Sequence, residues 1–286
     1  MRWKRVQSSD VIDQRAGGGS RVAIPGGLGV AGIIIFLAIQ LLGGGSSAGF
    51  NVDDPFGGST QAPGASAPRG IPAAQDPDRD LKDFSVYVFE RTQQVWERTF
   101  SEQGQPYEHA KLVLYRDGVS TGCGSASSAV GPFYCPADRR VYLDLSFYRD
   151  MQTKLGATGD FAWAYVIAHE MGHHVQQQLG TSDRVTGLQR RHPEDRNALS
   201  VRLELQADCY AGVWAKTVYK DLDPGDIDEA MNASRAVGDD RLQQQAQGSV
   251  DPDTFTHGTS EQRSRWFSRG QQSGQPADCD TFSGDV

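Results

Sequence analysis

Residues 164–180 read AYVIAHEMGHHVQQQLG and are predicted to form one helix that ends at Gly180. His169 and His173 are four positions apart, so on a helix both rings project from one face toward one point. Two neutral imidazoles at this spacing can hold one zinc ion at ~2.0–2.1 Å. Glu170 is turned by about 100° from His169, so its carboxylate lies beside the ion and can take a proton from metal-activated water.

A second motif is needed, because HExxH occurs by chance in roughly one of several hundred sequences of this composition. It lies in residues 202–216, RLELQADCYAGVWAK, where Glu204 and Asp208 are again four positions apart on a predicted helix. Two carboxylates on an apolar-rich helix repel each other unless a positive group lies beside them. We therefore expect Glu204 to be the third zinc ligand and Asp208 to accept the free N–H of a ligating histidine. The alternative is a solvated acidic face.

The composition of the chain restricts its classes of function. The 286 residues are 38% hydrophobic and carry a formal net charge of -8. The hydrophobic content suffices for a packed core over part of the chain, which argues against disorder throughout. A nucleic-acid binder needs a concentrated positive surface, so the acidic balance argues against nucleic acid as a partner.

The amino-terminal part differs from the rest in charge and hydropathy. Residues 1–21 contain five basic and two acidic residues, and no charged residue occurs between Arg21 and Asp53. Residues 22–42, VAIPGGLGVAGIIIFLAIQLL, are long enough to span a ~30 Å hydrocarbon core as a helix. We expect 1–21 to be a basic cytoplasmic segment and 22–42 a single transmembrane helix, with the rest of the chain outside the cytoplasmic membrane. The alternative is a signal peptide whose cleavage near Ala48 releases a secreted protein.

Downstream, the chain divides into a linker and one domain. Residues 43–80 are rich in Gly, Ala, Pro and Ser, which is typical of a flexible tether. The domain is expected at 81–286, with an α+β fold that is mainly helical and includes a small β-sheet. The predicted helices are 81–103, 161–179, 197–219, 224–247 and 260–269, and the predicted strands are 111–115, 133–135 and 141–145.

Four cysteines follow the apolar span: Cys123, Cys135, Cys209 and Cys279. In an exported domain an even number favours two disulfides, for which three connectivities are possible. Pairing Cys123 with Cys135 would close a short ring, and pairing Cys209 with Cys279 would fasten the C-terminal tail to a helix. A zinc site made of thiolates is the rival interpretation, but no CxxC pattern occurs.

Together these motifs resemble a known family. HExxH followed on a later helix by ExxxD is similar to the gluzincin arrangement of metallopeptidases. The segments CGSASSAVGPFYCPADRRVYLDLSF, AYVIAHEMGHHVQ, ELQADCYAGVWA and FTHGTSEQRSRWF resemble the bacterial putative neutral zinc metallopeptidase family over about 81–282. The resemblance implies a zincin-like fold with His169, His173 and Glu204 as zinc ligands and Glu170 as the catalytic residue. It adds little on substrate specificity.

The expected reaction is zinc-dependent hydrolysis of a peptide or protein substrate. Three protein ligands leave the fourth position of Zn²⁺ to water, and Glu170 acts as the general base. An edge strand of the sheet would align the substrate backbone. His257, in a loop before a helix, is the first candidate for stabilising the oxyanion, ahead of Tyr210 and Arg263.

Two non-enzymatic functions are the alternatives. One is a zinc-stabilised binding protein without catalysis, in whose sequence we would expect the general base to be missing. The other is a membrane-tethered scaffold, which a large exposed apolar patch would favour. Because Glu170 is present, the sequence favours the enzyme.

Overall fold

The computed structural model of the chain describes residues 1–16 and 70–286. This part is mainly helical and contains a small sheet, which confirms the predicted α+β class. The predicted transmembrane helix at 22–42 lies outside the described residues, as does most of the predicted linker at 43–80. Within the described ranges, no helix combines the length and the apolar character that a membrane crossing requires.

The elements of the described part follow one another in the order below. The helices are α1 (Arg79–Glu102), α2 (Ser146–Thr153), α3 (Asp160–Gln178), α4 (Thr181–Arg191), α5 (Arg196–Thr217), α6 (Asp226–Ala236), α7 (Asp239–Gln247) and α8 (Ser260–Ser273). The strands are β1 (Val11–Asp13), β2 (Lys111–Tyr115), β3 (Gly118–Thr121), β4 (Gly124–Ser127), β5 (Phe133–Cys135) and β6 (Arg140–Asp144).

Four strands form the main sheet, in the order β1-β2-β6-β5. Strands β1, β2 and β6 are parallel neighbours, and β5 pairs with β6 in the antiparallel direction. The central strands β2 and β6 are apolar at successive positions because both faces of the sheet are covered. One edge of the sheet, β5, contacts α3, the helix that carries HExxH. The hairpin β3–β4 stands apart as a second, two-stranded sheet.

The amino-terminal segment packs on the domain, whereas sequence analysis placed residues 1–21 apart from it. Val11 pairs with Leu112 at the start of the β1–β2 ladder. The Arg15 guanidinium lies 2.6 Å from a carboxylate oxygen of Asp76, and both side chains are almost fully buried. A basic residue that the sequence assigned to the flank of a membrane span is therefore part of a buried ion pair that joins the two described ranges.

Helix α3 lies at the centre of the helical layer, in contact with α1, α5 and α6. It is apolar nearly all round, and its Phe161 ring stacks on Trp214 of α5 at 5.6 Å between ring centroids. The prediction of one helix over 224–247 is wrong, because the chain breaks at Gly238 between α6 and α7. A Cβ at Gly238 would lie 2.3 Å from the backbone nitrogen of Ser260, so the break allows the start of α8 to approach closely.

Helices α5 and α8 cross with their backbones in direct contact. A Cβ on Gly212 would lie 2.1 Å from the carbonyl oxygen of Phe267, and a Cβ on Gly270 would lie 2.0 Å from that of Cys209. The disulfide Cys209–Cys279 fastens the C-terminal tail to α5, and Cys123–Cys135 joins the β3–β4 turn to β5. The two disulfides expected from the sequence are present, and of the three connectivities left open the structure has this one.

Candidate metal centre

Two helices bring the five residues of the HExxH and ExxxD motifs together. Helix α3 carries the two histidines and Glu170, and α5 carries Glu204 and Asp208. The helices approach closely at Gly172, where a Cβ would lie 3.0 Å from the carbonyl oxygen of Ala207. The missing side chain between the two histidines therefore lets α5 present its carboxylates to them.

The three predicted ligands face a common point. The Nε2 atom of His169 lies 3.2 Å from one oxygen of Glu204, and the Nε2 atom of His173 lies 3.4 Å from the other. All three ligand atoms lie within 4.8 Å of one another. Tetrahedral zinc with bonds of ~2.0–2.2 Å places its ligand atoms about 3.4 Å apart. The donor set and its spacing therefore fit Zn²⁺.

Hydrogen bonds on the far side of each ring hold the imidazoles in this orientation. The Nδ1 atom of His169 lies 2.9 Å from Asp208, and that of His173 lies 2.9 Å from the side-chain oxygen of Gln176. The Gln176 amide in turn donates to the backbone oxygen of Leu203 on α5 at 2.7 Å. Each ring therefore donates from Nδ1 and leaves Nε2 free to bind a metal. Sequence analysis predicted the role of Asp208 and missed that of Gln176.

The buried carboxylate of Asp208 is kept ionised by neighbours on two helices, α3 and α8. Arg263 of α8 donates to both of its oxygens, at 2.8 and 3.0 Å, and Tyr165 of α3 donates at 2.5 Å. Although burial alone disfavours its charge, the Arg263 guanidinium and His169 hold the pKa of Asp208 below its ordinary value. Arg263, which the sequence analysis ranked below His257 as an oxyanion donor, thus binds the aspartate that orients His169.

Glu170 lies beside the three ligands without joining them. Its side chain is buried and lines the same cavity as His169 and Glu204, and the backbone of Tyr134 in β5 lies near enough to favour its charged form. Burial raises the pKa of Glu170, and the charges of the two neighbouring histidines oppose this effect. The carboxyl group of Glu170 therefore lies buried beside the three predicted ligands.

His257 enters the cavity from the opposite side. Its Nδ1 atom lies 3.2 Å from one oxygen of Asp239, and the other oxygen of Asp239 accepts the backbone N–H of His257 at 2.6 Å. The same oxygen also accepts the N–H groups of Thr256 and Gly258, so one carboxylate fixes the loop. Asp239 was not predicted, since it lies in another helix and no periodic pattern links it to the loop. Tyr210, the other candidate donor, packs on Trp96 away from this cavity.

Replacing Asp208 with asparagine is expected to lower zinc affinity by about 10–100-fold, the usual effect of removing a carboxylate that orients a metal-binding histidine. The matched control is Asp228→Asn, at an exposed position of α6. Competition with a fluorescent zinc chelator measures both affinities. Equal affinity in the two variants would show that Asp208 does not support the centre.

Comparison with known proteins points to one family. The family described as putative neutral zinc metallopeptidase matches residues 1–282. The Escherichia coli K12 protein YpfJ is 45% identical over 292 residues, which is 99% of each chain. The Mycobacterium tuberculosis H37Rv protein Rv2575 is 47% identical over 190 residues, which is 62% of this chain and 64% of that protein. Both relatives are named as uncharacterized proteins, so they add no activity to the family description, and no solved structure matches the chain. Since the family match covers nearly its whole length, the chain belongs to the putative neutral zinc metallopeptidase family.

Proposed function

We propose that this protein is a zinc-dependent peptidase with a zincin-like catalytic domain. The observation that carries the proposal is the spacing of His169, His173 and Glu204 around one point, with the buried carboxyl group of Glu170 beside them. Three protein ligands with an open fourth position are the arrangement of catalytic rather than structural zinc sites. The family description supports the same class of reaction.

When bound at this centre, zinc supplies a Lewis acid that polarises a peptide carbonyl and makes water acidic enough to lose a proton near neutral pH. The protein's own contribution is proton transfer by Glu170. Its carboxylate accepts the proton of the attacking water and then delivers it to the nitrogen of the leaving amine. Because the carboxyl group is buried in the cavity beside the predicted ligands, it is positioned before the substrate arrives.

Strand β5 is the element that we expect to bind the substrate backbone. It forms the edge of the sheet, beside α3, and the disulfide Cys123–Cys135 anchors its end. An extended peptide can add to such an edge through main-chain hydrogen bonds, which places its carbonyl groups along the metal centre. Selection among peptides then depends on the pockets that receive their side chains.

His257 is the donor that we expect to stabilise the negative charge on the tetrahedral carbonyl oxygen. Replacing it with phenylalanine, which keeps a ring and removes the donor, should lower kcat by about 10²–10³-fold with little change in KM or zinc content. The variant His257→Gln retains a donor and should recover part of kcat. An unchanged kcat for His257→Phe, or equal losses in both variants, would assign His257 a structural role.

The test of the function is a paired measurement of metal content and hydrolysis. The purified full chain should contain one zinc per molecule by mass spectrometry of the metal. It should also cleave casein or a mixed peptide library, lose this activity on treatment with a chelator, and regain it with zinc. A protein that binds zinc stoichiometrically and cleaves none of these substrates would contradict the peptidase and favour the non-catalytic binding protein.

For the location, we propose that the domain and residues 1–16 lie together outside the cytoplasmic membrane. The two disulfides are typical of an oxidising compartment. A chain that crosses the membrane once at 22–42 would separate residues 1–16 from 70–286, whereas the β1–β2 pairing and the Arg15–Asp76 ion pair support a location of both ranges on one side. Cleavage near Ala48 would remove β1 altogether.

Cysteine labelling tests this arrangement with one probe in each range. Ser9→Cys and Ser283→Cys place a thiol at exposed positions, and the four native cysteines are paired in disulfides. A membrane-impermeant maleimide should label both variants equally in intact cells. Labelling of Ser283→Cys alone would instead support a chain that crosses the membrane once at 22–42, with its amino terminus in the cytoplasm. Labelling of neither before lysis would contradict the external location.

A further inference from the structure

The metal centre opens into a cavity whose far wall is apolar. Besides the residues of the centre, apolar side chains from the β4–β5 connection, α2, α3 and the α6–α7 region line it. These are Val130, Phe147, Leu155, Val166, Val237 and Leu242. The set comes from four separate parts of the chain, and Phe147, Leu155, Val166 and Leu242 also belong to the main hydrophobic core, so the cavity opens at the edge of that core beside the charged centre.

The apolar wall begins directly beside the proposed general base. Val166 lies on α3 one helical turn before Glu170, so both side chains face the same cavity. Leu242 and Val237 reach it from α7 and from the end of α6, on the side that also carries His257. The cavity volume is ≈ 100 Å³. Pockets that enclose a whole small ligand measure roughly 300–1,000 Å³, so this cavity suits one side chain.

The charged groups around the cavity, among the described residues, belong to the centre itself. The guanidinium of Arg263 is bound to Asp208 and lies 3.9 Å from Glu204, so its charge is already balanced. A charged side chain that entered the cavity would lose its hydration and would meet only the charged groups of the centre and the apolar wall, which is unfavourable. An apolar side chain would instead gain from burial against the valine and leucine groups.

We propose that this cavity selects the substrate: it receives a large apolar side chain from one of the two residues that flank the scissile bond, and Val237 and Leu242 set the size accepted. The inference rests on the proposed peptidase function and deepens it. Of the two, Val237 is only partly buried, at the end of α6, so its side chain can be enlarged with little effect on the core.

The first test is cleavage of a positional peptide library in which each site is varied through Leu, Phe, Ala, Asp and Lys. We expect kcat/KM for Leu or Phe at one flanking position to exceed that for Ala by at least tenfold, with Asp and Lys lowest. Cleavage without an apolar preference at either flanking position would overturn the inference while leaving the peptidase function intact.

The second test moves the preference by changing the cavity. Val237→Phe should lower the Leu-to-Ala ratio of kcat/KM at that position by at least tenfold, because the added ring occupies the space for the side chain. The matched control, Val250→Phe, makes the same change at an exposed position outside the cavity and should leave the ratio unchanged. If Val237→Phe left the Leu-to-Ala ratio of kcat/KM unchanged, another surface would select the substrate side chain, and the inference would be wrong.

A binding measurement separates this inference from the peptidase proposal. Zinc-loaded Glu170→Gln protein is titrated with dansyl-labelled peptides that carry Leu or Ala at the flanking positions, and their Kd values are compared. Tighter binding of the Leu peptide would support an apolar side chain in the cavity, provided that adding Val237→Phe abolishes the difference in Kd. This result would hold even if the wild type cleaves nothing. Equal Kd values for the Leu and Ala peptides would overturn it.

Discussion

Peptide hydrolysis by the Glu170→Gln variant is expected to fall by about 10²–10⁴-fold, the usual contribution of a general acid–base group, while zinc remains at one ion per chain. Glutamine has nearly the same shape as glutamate, so the packing of the buried side chain is preserved. Its amide can neither accept the proton of the attacking water nor return it to the leaving amine. The measurement is kcat/KM on a peptide that the wild type cleaves, together with zinc content.

The matched control is Glu102→Gln, the same substitution at an exposed position at the end of α1. It should keep wild-type activity and zinc content. Two results would contradict the assignment of Glu170. Full activity in Glu170→Gln would show that the proton is carried by another group. Loss of zinc together with activity would show that Glu170 acts as a ligand or supports one.

The candidate ligands and the candidate general base could be chosen from the sequence because helical periodicity determines locally which side chains share a face. The spacing of four between His169 and His173, and between Glu204 and Asp208, places each pair on one face without knowledge of the rest of the fold. Strands β2, β5 and β6 were likewise predictable from short apolar segments with turn residues on both sides. Because both motifs offer zinc ligands, the sequence also suggested that the helices α3 and α5 meet. Local periodicity does not show which other elements pack around these two helices.

The remaining features depend on contacts between distant parts of the chain. Asp239 reaches the loop of His257, and Arg263 reaches Asp208, through the packing of separate helices. No sequence period relates such residues, so their partners are visible only in three dimensions. The same holds for β1, which is three residues long and pairs with a strand about a hundred positions later. Its charged neighbours resembled the basic flank of a membrane span.

Gly270→Ala is expected to reduce the free energy of unfolding by about 3 kcal/mol or more, although helix propensity alone favours alanine by about 1 kcal/mol. The reason is the crossing of α5 and α8. A Cβ at Gly270 would lie 2.0 Å from the carbonyl oxygen of Cys209 and 2.9 Å from the nitrogen of Val213. Both are backbone atoms, which cannot rotate away, so the two helices must separate.

Separation of these helices should also weaken the metal centre, because Arg263 lies on α8 and binds Asp208, the neighbour of Cys209 on α5. We expect zinc affinity to fall along with stability in Gly270→Ala, as measured by chelator competition and by urea unfolding of the oxidised protein with and without zinc. The control is Gly187→Ala within α4, where the added Cβ would meet only the end of the Arg191 side chain at 3.6 Å. That variant should be as stable as the wild type or up to about 1 kcal/mol more stable. Equal stability and equal zinc affinity in the two variants would contradict this prediction. Helix propensity, and not the backbone contact with α5, would then determine the effect of the added methyl group, and the close crossing would not be what holds Arg263 against Asp208.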